Sequence, residues 1–126
     1  MVKDMITEIF NLFKGDDVLK TIKTKSFERP ESLSVDQTSI IIIPITAPQQ
    51  SVFGSDTSLS KKFVYQIDVE STNRVECKEL QRRIEKLFET IGFYQNDSGL
   101  EKFDRDTGRY LDARTYKGFS KIYEDY

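Results

Sequence analysis

Two segments of the chain carry apolar residues at helical spacing. In residues 2 to 14 the apolar positions recur every three or four residues, and polar side chains occupy the opposite side. We therefore predict a helix over residues 2 to 14 that ends at Gly15 in a left-handed conformation. A second stripe predicts a longer helix over residues 74 to 91, with Asn73 as its N-terminal cap and Gly92 closing it.

The remaining apolar segments have the pattern of β-strands. Residues 39 to 46 include four consecutive isoleucines, a run that is short for a helix and rich in β-branched side chains. Residues 61 to 70 alternate apolar and polar positions, as in a strand with one buried face. Further strands are predicted over residues 18 to 25 and 93 to 95, and a hairpin over residues 100 to 105 and 109 to 116.

Two polar segments show neither the helical nor the strand spacing of apolar residues, and we predict loops there. Residues 26 to 37 contain Pro30 and several serines. Residues 48 to 60 form the longer of the two, rich in Gly and Ser, and we expect an exposed loop. Because binding residues concentrate on loops, this segment is a candidate contact surface.

These elements predict one α+β domain spanning residues 1 to 126. We expect a small mixed or antiparallel sheet with two helices packed on one face and a C-terminal β-hairpin. The strand containing Ile40 to Ile43 has apolar side chains on both faces, whereas the helices cover only one. Either the next copy of the chain in a ring, or the C-terminal hairpin folded over as a second layer, would cover the other face.

Composition excludes several classes of function. Apolar residues make up 37% of the chain and charged residues 32%, and the net charge of −2 gives no strong attraction to nucleic acid or anionic lipid. The chain shows no apolar run long enough to span a membrane and no leader, so we expect an intracellular protein. With no histidine and one cysteine, Cys77, the chain cannot itself supply a Ser-His-Asp site, a histidine-ligated metal or an internal disulfide. We interpret Cys77 as a core residue.

Short patterns in the chain resemble catalytic sites. Asp106-Thr107-Gly108 matches the tripeptide of aspartic proteases, but Arg105 and Arg109 flank it, whereas that reaction needs a dry pocket between apolar residues. We predict a hairpin turn there.

The second pattern is Asp68 followed by Glu76 and Lys78, which is faintly similar to the carboxylates and lysine of a magnesium-dependent nuclease. Neighbouring positions at the start of a helix point in different directions, so we expect a solvated helix surface. A hydrolase or nuclease that uses clustered carboxylates stays open as an alternative.

The order of the elements resembles the tail terminator (tail-to-head joining) proteins of long, non-contractile-tailed bacteriophages. The resemblance rests on the Ser-Ile-Ile-Ile-Ile-Pro-Ile strand, the Phe-Val-Tyr-Gln-Ile-Asp-Val strand and the Asp-Thr-Gly-Arg-Tyr-Leu-Asp-Ala-Arg hairpin. It spans nearly the whole chain and is strongest at residues 40 to 45, 63 to 70 and 92 to 118.

Membership would imply a non-enzymatic virion protein with no cofactor, no metal and no catalytic residue. The resemblance implies a hexameric ring that caps the finished tail tube and then joins the DNA-filled head. The implied partners are other copies of the chain, the tail tube protein and a head-completion protein, with DNA only passing through the lumen and no membrane contact. The implied location is the virion, and the host cytoplasm during assembly. Another connector or head-completion protein of the neck, or a monomeric adaptor domain, would also fit.

For the contact surface we select the loop over residues 48 to 60 and the aromatic C-terminal segment. Phe53 is the expected apolar anchor, and a loop that is flexible in the free subunit would become ordered on docking. The candidate interface residues are Gln49, Gln50, Val52, Phe53, Asp56, Tyr123 and Tyr126.

Overall fold

The structure is a computed structural model that describes residues 2–30, 34, 36–54, 57–96 and 99–126, with the backbone only for Val52, Thr57 and Ser58. Within these residues the chain forms two helices, α1 (Met5–Lys14) and α2 (Arg74–Glu89), and a single 3₁₀ turn, Leu19–Thr21. The strands are β1 (Lys23–Ser26), β2 (Ser39–Pro44), β3 (Gln49–Gly54), β4 (Thr57–Ser71), β5 (Tyr94–Gln95), β6 (Leu100–Asp104) and β7 (Arg109–Phe119).

The long strand β4 organises the sheet. On one edge it pairs with β2 and then β3, which run in the same direction and together form one interrupted strand. On its other edge it pairs antiparallel with β7, which in turn pairs with β5 and β6. Because β1 joins β2 in parallel, the sheet is mixed.

Both helices pack on the same face of this sheet. The alternating pattern of β4 places Phe63, Tyr65, Ile67 and Val69 on that face, where all four side chains are buried with the apolar stripes of the helices. The predicted α+β fold, with two helices on one face and a C-terminal hairpin formed by β6 and β7, is confirmed.

The ends of the helices follow the predicted chemistry in part. The side chain of Asn73 accepts hydrogen bonds from the backbone N–H groups of Val75 and Glu76, as an N-terminal cap should. Gly92 has a φ of +78°, so the left-handed position after α2 is also confirmed. The prediction for Gly15 is wrong, because its φ of −80° is right-handed and its N–H bonds back into α1.

The predicted strand over residues 18 to 25 is shorter and starts later. The carboxylate of Asp16 accepts hydrogen bonds from the N–H groups of Val18 and Leu19, at 2.9 and 3.0 Å. These bonds favour a turn, which occupies the first part of the segment. Only Lys23–Ser26 remains as a strand.

The prediction of a loop over residues 48 to 60 is wrong. Most of this segment is an antiparallel hairpin in which Gln49 pairs with Lys62 and Ser51 with Ser60. These strands show no apolar alternation, because Gln49, Gln50 and Phe53 on β3 are exposed and the buried residue on β4 within this segment is Ser60.

The second face of the isoleucine strand is covered differently from either expectation. The C-terminal hairpin does not form a second layer, because β7 lies in the same sheet as β4. Ile41, on the face away from the helices, is only 7% exposed within one chain, so it does not need a second copy. Arg29, in the segment after β1, reaches this side, where its Nε is 3.2 Å from the carboxylate of Glu70.

The longest helix of the described residues, α2, has 16 residues and a mostly polar sequence. In this part of the chain, no helix has the length and apolar character needed to cross a membrane.

Candidate assembly interface

We call residues 49–54 and 57–62 the arm. They comprise β3 and the first part of β4, which precedes the region where β4 pairs with both β2 and β7. The arm therefore extends past the part of the sheet that lies between two neighbouring strands. Its backbone is held mainly by β3 pairing with β4, and much of it is exposed.

The structure describes three of the five interface residues that we selected on this segment. Gln49 and Gln50 are exposed on β3, and the ring of Phe53 is 63% exposed. The side chain of Val52 and the whole of Asp56 lie outside the described residues. Phe53 is therefore a large, exposed apolar side chain on this hairpin.

We call residues 120–126 the strap. The Ser120 N–H donates to the carbonyl of Lys61 at 2.8 Å, and the Ser120 hydroxyl accepts from the Lys61 N–H at 2.9 Å. Three residues later, the Tyr123 N–H donates to the carbonyl of Leu59 at 2.8 Å. The strap thus continues from β7 along the edge of β4 that β3 leaves unpaired in the arm.

The two tyrosines that we selected in the strap have different environments. Tyr123 is 80% exposed beside the arm and has a φ of +65°, which is uncommon for a bulky residue. Tyr126 is partly buried, with its ring edge-on to that of Phe63 at 5.3 Å and its hydroxyl donating to the carboxylate of Glu8. Burial, together with the bond to Glu8, raises the pKa of Tyr126. Of the two, only Tyr123 is therefore well placed in a single chain to contact a partner.

Contacts with the start of the chain hold the end of the strap. The Lys3 N–H donates to the carbonyl of Asp125 at 2.6 Å, and the Lys3 ammonium forms an ion pair with Glu124. The hydrogen bond to Glu124 and the surrounding carboxylates raise the pKa of Lys3 despite the opposing effect of desolvation. An open groove of about 550 Å³ lies between the strap, α1 and the residues after α2.

Sequence reasoning missed three further exposed apolar residues near the arm and the strap. Ile45, Phe119 and Ile122 are 49%, 44% and 51% exposed. Ile45 bonds through its N–H to Val64 of β4, and Phe119 pairs with Lys62 where the arm joins the sheet. The aromatic-rich C-terminal sequence signalled this region, but the end of β7 was predicted three residues too early, at residue 116.

The protease-like tripeptide forms a turn, as predicted. Gly108 has a φ of +70° and donates its N–H to the carbonyl of Asp104 at 2.8 Å. The carboxylate of Asp104 also accepts from the Asp106 N–H at 2.9 Å. Residues 105 to 108 are exposed, so this site lacks the dry environment that an aspartic protease needs.

The residues that resembled a nuclease pattern do not form a common site. Asp68 is on the face of β4 away from the helices, where Gln66 donates to it at 2.7 Å and burial raises its pKa. Glu76 is on α2, which packs on the other face, and accepts a hydrogen bond from the Thr38 hydroxyl. In the described part of the chain, no three His, Cys, Asp or Glu side chains are grouped so that they could hold a metal ion.

Cys77 is a core residue, in agreement with its interpretation from the sequence. Its side chain is 1% exposed, and its sulfur is 3.7 Å from the carbonyl oxygens of Val69 and Tyr110. Burial raises the pKa of the Cys77 thiol to about 11. A buried thiol that stays protonated is a poor nucleophile.

The sequence matches no protein-family model and no curated protein sequence. A functional proposal therefore rests on the geometry of the arm and the strap and on the resemblance in the order of the elements.

Proposed function

We propose that this chain is a structural protein of a bacteriophage virion. In this proposal it is a tail terminator that caps the tail tube as a hexameric ring and joins the tail to the head. Its partners are other copies of itself, the tail tube protein and a head-completion protein, and DNA passes through the lumen of the ring. It acts in the virion and, during assembly, in the host cytoplasm.

The observation that carries the proposal is the arm. Among the described residues β3 pairs only with β4, so its outer edge and its exposed side chains gain from contacts that cover them. Here the exposed Phe53 ring lies on β3, and the exposed Tyr123 lies beside Leu59 on the other strand of the arm. Exposed aromatic side chains on such a projection fit a surface that packs against another subunit.

The position of the apolar residues also supports a ring. Phe53 pairs with Ser58 and Phe119 pairs with Lys62. Because Ser58 and Lys62 are positions of β4 that face away from the helices, Phe53 and Phe119 lie on that side of the sheet as well. The helices cannot cover this side. A ring of identical subunits covers such a surface by a heterologous contact, in which a patch on one copy meets a different patch on the next.

The ring function is tested in a phage whose genome encodes this chain. Removing the gene should give tails of uncontrolled length or finished tails that do not join heads, as seen by electron microscopy of lysates. Supplying the wild-type chain from a plasmid should restore joined particles. Normal particles without the gene would refute the proposal.

A matched pair of variants tests the arm within the same assay. Phe53→Ser should fail to restore joined particles, because it removes the apolar anchor without changing a buried contact. Leu100→Ser is the control, since Leu100 is also an exposed apolar strand residue, at 53%, but lies on β6. Equal rescue by both variants would show that the arm is not the contact surface.

A further inference from the structure

The contacts of the strap are concentrated at its two ends. At one end Ser120 is buried and bonds to Lys61 through its N–H and its hydroxyl. At the other end the ring of Tyr126 packs against Phe63. We call the surface formed by Lys3, Glu8 and Phe63, which receives the residues Glu124 to Tyr126, the socket.

The middle of the strap has few contacts and an unfavourable backbone conformation. Lys121, Ile122 and Tyr123 are all exposed, and Ile122 and Tyr123 expose 51% and 80% of their surface. Tyr123 has a φ of +65°, a left-handed conformation that costs free energy for any residue with a Cβ and is uncommon for an aromatic one. Strain of this kind, where few contacts enforce it, favours a segment that can change conformation.

We propose that the strap is exchanged between copies, so that in the assembled ring Glu124 to Tyr126 of one chain occupy the socket of the next. This inference rests on the proposed ring. The second copy is a suitable occupant because its strap has the same sequence and makes the same contacts with Lys3, Glu8 and Phe63. Exchange of an identical element is a low-cost route to association, since every interaction that breaks within one chain forms again between two chains.

The geometry permits this exchange. The six residues after Ser120 can span about 20 Å when extended. Rotation of Tyr123 out of the left-handed region extends the strap and releases its bond to Leu59, which lies in the arm. A neighbour that packs against the arm is thus placed where the released strap can reach it. Exchange also explains how Tyr126, partly buried in its own chain, can contribute to an interface.

The Lys3–Glu124 ion pair makes the exchange measurable in the unmodified protein. Equal amounts of ¹⁴N- and ¹⁵N-labelled chain are mixed as monomers, assembled on tail tubes or at high concentration, and treated with a zero-length carbodiimide cross-linker. This reagent joins an amine and a carboxylate that are already in contact, so it links Lys3 to Glu124. Mass spectrometry then shows whether each linked pair of peptides comes from one chain or from two.

Exchange predicts that about half of the linked Lys3–Glu124 pairs from the assembled fraction carry mixed labels, as random mixing requires. The monomer fraction should give linked pairs of a single label. If the assembled fraction gives only single-label pairs, or no linked pairs, the exchange is refuted, whereas the proposed ring is not. Failure to assemble under either condition would count against the ring and the exchange together.

Two variants test the role of the positive φ at Tyr123. In an equilibrated sample, Tyr123→Gly should lower the ratio of mixed-label to single-label pairs about fivefold or more. Glycine removes the cost of the left-handed conformation in the strap that stays on its own chain, and so favours that state. Tyr123→Ala is the matched control, since it removes the same ring but keeps a Cβ and therefore the cost of the positive φ. An equal effect of both variants would refute a specific role for the strain at Tyr123.

Discussion

Replacing Gly118 with alanine is expected to destabilise the fold strongly. Gly118 lies on β7 opposite Phe63 and faces the helices. A Cβ built at this position would be 2.3 Å from Cδ1 and 2.4 Å from Cγ of Phe93. Because carbon atoms in contact are ordinarily about 3.5–4.0 Å apart, the ring would have to retreat by about 1 Å or more.

The Phe93 ring has little space for such a movement. It is 1% exposed and lies among three other rings, with centroid distances of 5.5 Å to Phe88, 6.2 Å to Tyr65 and 6.4 Å to Phe63. Overpacking of a close-packed core costs about 1–3 kcal/mol. Because the three neighbouring rings are themselves buried, we expect a cost near the upper end of this range. A loss of about 3 kcal/mol should lower the Tm of a chain of this size by roughly 10 °C.

Urea unfolding followed by circular dichroism measures this change, and a second glycine provides the control. At Gly15 the nearest atoms to an added Cβ are backbone oxygens at 3.5 and 3.7 Å, and its φ of −80° suits alanine. Gly15→Ala should therefore stabilise the protein by about 0.4–1 kcal/mol, because alanine restricts the unfolded chain. Adding Phe93→Leu to Gly118→Ala should recover part of the loss. If Gly118→Ala unfolds at the wild-type midpoint, the packing of Phe93 against β7 is refuted.

Three further outcomes are expected. Asn73→Ala should lower the free energy of unfolding by about 1 kcal/mol in urea titrations, because two N–H groups of α2 lose their acceptor, and an unchanged midpoint would contradict that cap. Cys77 should react with a thiol reagent only as fast as the protein opens, so a rapid reaction of the native protein would refute its burial. Burial raises the pKa of Tyr116 above the ordinary value of 10.0. The neutral Tyr116 side chain therefore contributes its full stabilisation of the fold below pH 10, and this contribution is lost as the pH rises through the folded-state pKa. Stability measured in urea should fall above pH 10, and less steeply in Tyr116→Phe; equal slopes would contradict this role.

The elements with a single buried face could be predicted from the sequence. Both helices and β4 have apolar residues at the period of their secondary structure, because one side of each packs on the core. The hairpin of β6 and β7 was predicted from its turn, where Gly108 supplies the positive φ. These signals are local, so they do not depend on knowing the rest of the fold.

Predictions of secondary structure are wrong where a contact with a residue outside the segment determines its conformation. The segment 18 to 25 reads as a strand, but Asp16 bonds to its first N–H groups and also to Arg83 of α2, at 2.6 Å. The strap carried only a compositional signal. Its aromatic residues were selected as a group, but nothing in the sequence distinguished the exposed Tyr123 from Tyr126 in its socket.

The arm shows how an error of this kind can carry functional information. Gln49, Gln50 and Phe53 of β3 are exposed, so its sequence lacks the apolar alternation of a half-buried strand and resembles that of a loop. Residues 49–54 nevertheless pair in register with β4 and hold the Phe53 ring in water. Exposure of the Phe53 ring to water costs free energy in the single chain, and in the proposed ring a neighbouring subunit that covers the ring removes this cost. Under the proposed function, the missing apolar alternation of residues 49–54 belongs to a paired strand that a second subunit covers, rather than to a flexible loop.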